Sequence, residues 1–470
     1  MTLRKKYIGD KAFYRTVLGI AVPIMLQNGI TSFVNMLDNL MVGRLGTEAM
    51  SGVSIVNQFI FVFNLMIFGA VSAAGIFTAQ YHGSGDTEGV RHTFRFKLLV
   101  DVLATALGIV LFLLCGEGLI SLFLHEGSEG GDLALTMTYA KDYLAMTLVG
   151  LVPYAVTQVY ASTMRETGET LRPLLAGAVA VATNFVLNIV LIFGVGDIVP
   201  AMGVVGAALA TVISRFAEMF ILVLWAHRHT DVCPYLVGVY RTLRIPRALV
   251  GRIILGGLPL MANELFWSLA ITMRTQAYST RGLDVVAALN ISNTVYNVFS
   301  VVYLAMGSAI AIIIGNLLGA GKCEEAKDTD RKLIVFSVIC ACVTGLHILA
   351  VSPFFPHLYD TTETVRSLAT YLMIVQAIVM PFDAFTNAAY FTIRSGGRIL
   401  VTILSDSVFM WVVVVPISML LANGTAMSIF WLFALCHGLD CLKCAFAAFL
   451  LSRGTWARRL VTEDGVAPIK

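Results

Sequence analysis

The chain has 470 residues, of which 58% are hydrophobic and only 13% charged, and its mean hydropathy is +0.82. A soluble domain is about a quarter charged, so this composition excludes a water-soluble protein and places most of the chain in lipid. The net charge of +3 says little by itself, because the positions of the charges carry the information.

A membrane-spanning helix needs ~20 mostly apolar residues. Twelve runs meet that requirement and predict helices over 14–39, 51–79, 95–123, 138–163, 171–194, 203–226, 252–278, 285–316, 331–352, 366–392, 399–421 and 425–451. They are too long, and alternate too little, for barrel strands. The predicted fold class is an all-α integral membrane protein.

The first residues, MTLRKKYIGDKAFYR, are basic. The apolar run behind them is too long for a cleaved signal peptide, and no A-x-A-like site follows. The first helix contains the stretch Pro23–Gly46 and carries Asp38 toward its far end. An ionisable group within a membrane span is a functional-site hypothesis by default. At 100° per residue, Gln27, Thr31 and Asp38 fall within about 40° of one another, with Asn35 a further ~40° away. That polar stripe has to face a bundle interior, because lipid cannot satisfy it. Helix 2 offers Asn57 and Asn64 on one face, and helix 5 offers Asn184 and Asn188 one turn apart. A carboxylate among amides, hydroxyls and carbonyls can carry a proton, which burial favours, or can offer oxygen ligands to Na⁺. The plainer alternative is a solvated Asp at a helix end.

Other charges in the helices have local partners: Lys97 with Asp101, Arg215 with Glu218, and Asp440 with Lys443. Pairs at i,i+3 or i,i+4 meet on one helix face. Asp38, Glu264, Asp383 and Asp406 have no such partner on their own helix, and neither has Arg274. Glu264 has Asn263 and Trp267 close by. On helix 10, Asp383, Asn387, Tyr390 and Arg394 form a stripe able to hold Asp383 in a salt-bridged network. Asp406 is expected to pair with Arg394 or Arg398. Asn290, Asn293, Asn297 and Ser300 on helix 8 are expected to act as interhelical glue. Pro153, Pro381 and Pro416 fall inside helices and should kink them.

Basic residues set the orientation. Those before helix 1, in the 2–3, 4–5, 6–7, 8–9 and 10–11 connections, and in the tail place 25 of the 32 on one side. The positive-inside rule then puts both termini in the cytoplasm, as an even helix count also requires.

The chain is a duplication. Shifted by 236, residues 23–88 align without a gap on 259–324, with 14 of 66 positions identical. Pro23 meets Pro259, Asn57 meets Asn293, and Gly46, Gly83 and Gly85 meet Gly282, Gly319 and Gly321. A shift of 228 aligns Pro153 with Pro381 and Gly168 with Gly396. Helices 1–6 therefore repeat as 7–12 with parallel topology, related by an axis along the membrane normal. The expected organisation is an N-terminal lobe (1–225), a cytoplasmic linker (226–251), a C-terminal lobe (252–452) and a cytoplasmic tail (453–470). Arg274 takes the position equivalent to Asp38, so the lobes differ chemically there.

The motifs NMLDNLMVGRLGTEAMSG, AQYHGSGD, MRETGETLRP, LPLMANELFWSL, NLLGAGKCEEA and IRSGGRI occur in that order along the chain. Their order and spacing, across residues 14–450, resemble the multidrug and toxic compound extrusion (MATE) family, within the wider group of multidrug, oligosaccharide-lipid and polysaccharide exporters. The resemblance implies a V-shaped pair of six-helix bundles in the plasma (inner) membrane, exporting amphipathic organic cations in exchange for H⁺ or Na⁺. It implies Asp38 as the ion-coupling carboxylate with Asn184 and Asn188 beside it. Asn57, Gln27 and Thr31 complete the expected ion site, and Asp38 and Asn188 would be the metal ligands if the ion is Na⁺. In some branches of the family, acids on helices 7 and 10 bind cation or substrate. That suggests Glu264 and Asp383 here, with Asn35, Tyr390 and Trp267 alongside, although Glu264 lies only five residues after Pro259, earlier than in the best-known members.

An alternative within the same group is a lipid-linked oligosaccharide flippase. Its anionic cargo would want unpaired Arg or Lys, whereas removing the local pairs leaves four acids against one base. No H-E-x-x-H, G-x-S-x-G or P-loop is present, so no enzyme is expected, and transport would be secondary. No cofactor beyond the coupling ion and no nucleic-acid partner are expected. Organic cations and membrane lipid are the expected partners of a monomer.

Overall fold

A computed structural model describes residues 7–121, 132–196, 198–359, 361–462 and 465–466. Among them, twelve helices are long and apolar enough to cross a membrane. They are α1 (Lys11–Gly43), α2 (Thr47–Ser84), α3 (Thr87–Ser121), α4 (Leu133–Glu166), α5 (Leu171–Phe193), α6 (Gly203–Arg228), α7 (Arg247–Ser279), α8 (Leu283–Gly319), α9 (Cys323–Val351) and α10 (Glu363–Ser395), followed by α11 (Ile399–Gly424) and α12 (Ile429–Ser452). Each matches one expected run, extended mostly by a turn or two of polar residues. Side chains start some of them: Asp132 accepts from the amides of Ala134 and Leu135 at the head of α4, and Thr362 from Val365 at the head of α10.

The repeat is written into the backbone. Gly46 and Gly282, equivalent positions before α2 and α8, have φ of 119° and 117°, a conformation that glycine adopts without steric cost. Pro23 and Pro259 lie inside α1 and α7, and Pro153 and Pro381 inside α4 and α10. Pro416 behaves differently. It opens the last segment of α11 (Val415–Gly424), behind two π-helical stretches at Leu404–Val408 and Met410–Val414. Proline has no N–H to donate and crowds the carbonyl four residues earlier, and wider turns are one way to accommodate such a disruption.

The chain packs as two compact units. The N-terminal unit comprises Leu26–Thr78 and Asp86–Ile253, and the C-terminal unit the described residues up to Met25, Ala79–Gly85 and Ile254 onward. In the first, Val53, Val56 and Phe63 of α2 pack with Tyr143, Leu148 and Leu151 of α4 and with Ala207 and Ala208 of α6. In the second, Ala288, Leu289 and Ile291 of α8 pack with Leu368, Leu372 and Val375 of α10 and with Phe433 of α12. Half or more of the apolar span is buried in α2, α4, α8 and α10, against 39% or less in the other eight helices. The central helices of one half are thus the counterparts of those in the other.

Packing leaves chain order at two places. Val17 and Ala21 of α1 join Met306, Ile310 and Ile314 of α8. The last residues of α2 cross the end of α8 within the C-terminal unit. A Cβ on Gly83 would fall 1.9 Å from the carbonyl oxygen of Asn316, and one on Gly319 would fall 1.9 Å from that of Gln80. The two contacts are equivalents in the repeat. In lipid the hydrophobic effect does not drive helices together, so such close approach of backbones supplies much of the association.

Among the described residues, the segments after α6 and after α12 pack back onto the helices. After α6 a short turn (Pro234–Leu236) buries Tyr235 and Leu236, and Arg91 and Arg95 of α3 donate to the carbonyls of Tyr235 (3.1 Å) and Val239 (2.8 Å). After α12 the chain turns back and buries Trp456 and Val461. There Gln80 of α2, fully buried, donates to the carbonyls of Ser395 (2.9 Å) and Arg458 (3.4 Å) and accepts from the amide of Leu460 (2.6 Å).

Candidate functional site

Each unit holds its own polar network. In the N-terminal unit, α1 brings Asp38 against α5. The Asn188 amide donates to Asp38 Oδ1 at 2.6 Å and to Asn184 Oδ1 at 3.2 Å. Asn184 in turn donates to Thr211 Oγ1 of α6 at 3.2 Å. The two asparagines sit four residues apart, so one helix face presents both. Both are buried, and Asn188 Oδ1 is an acceptor with no partner. Among the described residues Asp38 has no ion pair within 4 Å, although Arg215 and Tyr143 stand close enough to feel its charge.

Three of the expected ion-site residues therefore come together: Asp38, Asn184 and Asn188. The others go elsewhere. Asn57 accepts from Tyr143 of α4 at 3.4 Å. Gln27 accepts from Arg165 at 3.2 Å, and the exposed Thr31 hydroxyl turns back to the Gln27 carbonyl at 2.9 Å. Gln27 and Thr31 share an angular sector of α1 with Asp38, but two to three turns of rise separate them from it. The side chain of Asn35 lies outside the described residues. Thr211 and Tyr143 were not singled out by the sequence, because neither shares a helix with Asp38 and helical spacing does not show which helices face one another.

In the C-terminal unit, Glu264 Oε1 accepts from the Tyr390 hydroxyl at 2.9 Å. Asp383 Oδ2 accepts from Tyr296 at 2.7 Å, and Tyr296 meets Tyr303 at 2.9 Å. The expected stripe on α10 is thus divided. Asp383 turns to α8, while Tyr390 turns to α7 with the Arg394 guanidinium 5.8 Å from its ring centre. Trp267 is 41% exposed on α7.

The ion pairs correct the local-pair expectations. Lys97 bonds Glu166 of α4 rather than Asp101. Lys443 bonds Asp406 of α11 at 2.5 Å rather than Asp440, and Asn263 also donates to Asp406 at 3.2 Å. Asp406 therefore does not pair with Arg394 or Arg398. Arg274, unpaired on its own helix, lies 3.9 Å from Asp440 of α12. Only Arg215–Glu218, at 3.1 Å, keeps its local form. The physical reason is reach. A long Lys or Arg stem meets a carboxylate on the facing helix as readily as one a turn away, and lipid penalises whichever acid is left without a partner. Among the described residues, Asp38, Glu264 and Asp383 have no ion pair within 4 Å; the side chains that donate to them are an amide and two tyrosine hydroxyls.

A family model named MatE matches residues 23–190 and 260–431. The chain is 24% identical over 423 residues to the probable multidrug resistance protein YoeA of Bacillus subtilis (strain 168), with 88% of each chain covered. It is 23% identical over 439 residues to multidrug and toxin extrusion protein 1 of Xenopus tropicalis, covering 90% of this chain and 71% of that one. Among solved structures it matches an outward-facing multidrug resistance MATE family transporter of the MOP superfamily, with a TM-score of 0.80 at 19% identity, over 96% of this chain and 98% of that one. It matches MATE in the bent conformation with a TM-score of 0.82 at 17% identity, over 94% and 96%. These likenesses show a two-lobed twelve-helix fold.

Proposed function

The chain belongs to the MatE family, and from that premise we propose that it is a secondary multidrug exporter, moving amphipathic organic cations outward in exchange for H⁺ or Na⁺. Several relatives carry multidrug resistance in their names, which supports the class of cargo. The observation that carries the coupling role is the surroundings of Asp38: a membrane-embedded carboxylate with neutral hydrogen-bond partners and a buried free acceptor, Asn188 Oδ1, beside it.

That arrangement suits an exchangeable ion. A proton on Asp38 makes an O–H able to donate, and Asn188 Oδ1 is an available acceptor. For Na⁺, Asp38 and Asn188 present oxygens of the kind a hard cation takes. Either ion cancels the charge that Asn188 now solvates, so the charged and neutral states favour different bonding between α1 and α5. A ligand shifts a conformational equilibrium only through such a difference in affinity. Pro23 gives α1 a place to bend. In the C-terminal unit, Glu264 and Asp383 each accept a tyrosine hydroxyl and offer carboxylate oxygens to a cationic cargo. Trp267 offers an aromatic face to the same cargo. The proposed setting is the inner membrane with both termini cytoplasmic, and alternating access between two halves of one monomer.

The test is dye efflux in everted vesicles, with proton and sodium gradients imposed separately. Wild type should respond to one gradient and Asp38→Asn to neither. If Asp38→Asn exports as fast as wild type, Asp38 is not the coupling residue. Flipping of a lipid-linked oligosaccharide without dye efflux would replace the exporter by a flippase.

A further inference from the structure

Asp101 is a buried acid that the proposed transport cycle does not use. It lies on α3, is 1% exposed, and neither carboxylate oxygen has a hydrogen-bond partner. The cation placed to neutralise it, Lys97, sits one turn earlier and is fully buried. An ammonium group has three donors, and Lys97 uses all three on α4: on Ser162 Oγ at 3.2 Å, on Thr163 Oγ1 at 3.2 Å and on the Glu166 carboxylate. Glu166 also presses on α2, where a Cβ at Gly75 would lie 2.2 Å from its Oε1. Other titratable groups stand around this cluster. Tyr154 of α4 is the titratable group that faces Asp101 from the neighbouring helix. Arg165 stands by Lys97 and Glu166 and donates to Gln27. Arg215 and Glu218 of α6 flank Tyr154 and pair with each other. An ionised carboxylate buried without a donor is an uncompensated charge and strongly destabilising.

We propose that Asp101 binds a proton, and that Asp101, Lys97 and Glu166 form a lysine-switched carboxyl pair in the N-terminal unit, separate from Asp38. With Lys97 on Glu166, the proton sits on Asp101. When the Lys97 ammonium swings to Asp101, its i,i+4 neighbour on the same helix, Asp101 releases the proton and Glu166, left without its cation, takes one up. One O–H bond breaks and one forms, lysine stays charged throughout, and the net charge of the three groups is unchanged. The unit that holds Asp38 then has a second proton-carrying group. Its place in transport rests on the ion-coupled function proposed above, whereas the bound proton does not.

Infrared spectroscopy of the lipid-reconstituted protein at neutral pH tests this through the carbonyl stretch of a protonated carboxyl group. Asp101→Asn should remove one such band that Asp38→Asn retains. Glu166→Gln takes away the anion that holds Lys97, so Lys97 should turn to Asp101 and the same band should vanish. A band unchanged in Asp101→Asn overturns the bound proton. A band that survives Glu166→Gln overturns the switch, and this second variant decides the matter if Asp101→Asn fails to fold. A failed dye-efflux experiment would leave both spectra as they are, so the two proposals fail separately.

Discussion

Asp38 and Arg274 occupy the same position in the two halves of the repeat and carry opposite charges in opposite surroundings. Asp38 is held by the amide of Asn188 and has no ion pair among the described residues. Arg274 faces a carboxylate, Asp440, at 3.9 Å, within a largely buried pair. A charge held by neutral dipoles can be cancelled by a small ion, and its neighbours keep their bonding. A closed ion pair cannot lose one member without stranding the other. The duplication kept the helices, the glycine turns and the prolines, yet left one half with a charge met by a neutral amide and the other with a charge facing its opposite.

The contrast is easiest to break at Arg274. Arg274→Ala strands Asp440 and should cost about 3–5 kcal/mol in unfolding stability. Asp38→Asn in the same denaturation assay should stay within about 1 kcal/mol. Equal losses would mean that the two positions do not differ in kind. Next comes Asn188→Ala, which leaves Asp38 and Asn184 each short of a partner and should cost about 1–3 kcal/mol. In an Asp38→Asn background that loss should shrink. Simple additivity would show that Asn188 does not act through Asp38. On the C-terminal side, Tyr390→Phe removes one hydrogen bond from Glu264, worth about 1 kcal/mol or roughly fivefold in affinity. A cargo-binding titration should register that change in wild type and lose it in Glu264→Gln. The smallest effect belongs to the exposed pair Lys322–Glu325, 3.2 Å apart. Lys322→Ala should change stability by no more than about 0.5 kcal/mol, which sets the background for the other three.

Much of this architecture could be read directly. Twelve apolar runs are long enough that length alone identifies a spanning helix, and the repeat shows because glycine and proline keep the positions where backbone geometry demands them. Asp38 stood out as a carboxylate in an apolar helix, and Asn184 and Asn188 as amides one turn apart, so their meeting needed only α1 to face α5. The ion pairs between helices were not legible. Helical spacing identifies partners on one helix, and it offered Asp101 to Lys97 and Asp440 to Lys443. The pairs formed, Lys97–Glu166, Asp406–Lys443 and Arg274–Asp440, join different helices, and periodicity carries no information on which helix faces which. The π turns of α11 were hidden for a related reason: Pro416 marks a disturbance without saying whether the helix bends or widens.

Gln80 bears on how the protein is made. Its amide is satisfied by Ser395, Arg458 and Leu460, which are 315, 378 and 380 residues further along the chain. During synthesis α2 enters the membrane long before those partners exist, so a buried amide waits for nearly the whole chain to emerge. The final step that satisfies it is the return of residues 456–461 onto the ends of α2 and α10. A chain that stops before Trp456 would have every spanning helix and still carry an unsealed joint, and a cell's surveillance of membrane proteins could recognise that defect without sensing any helix at all.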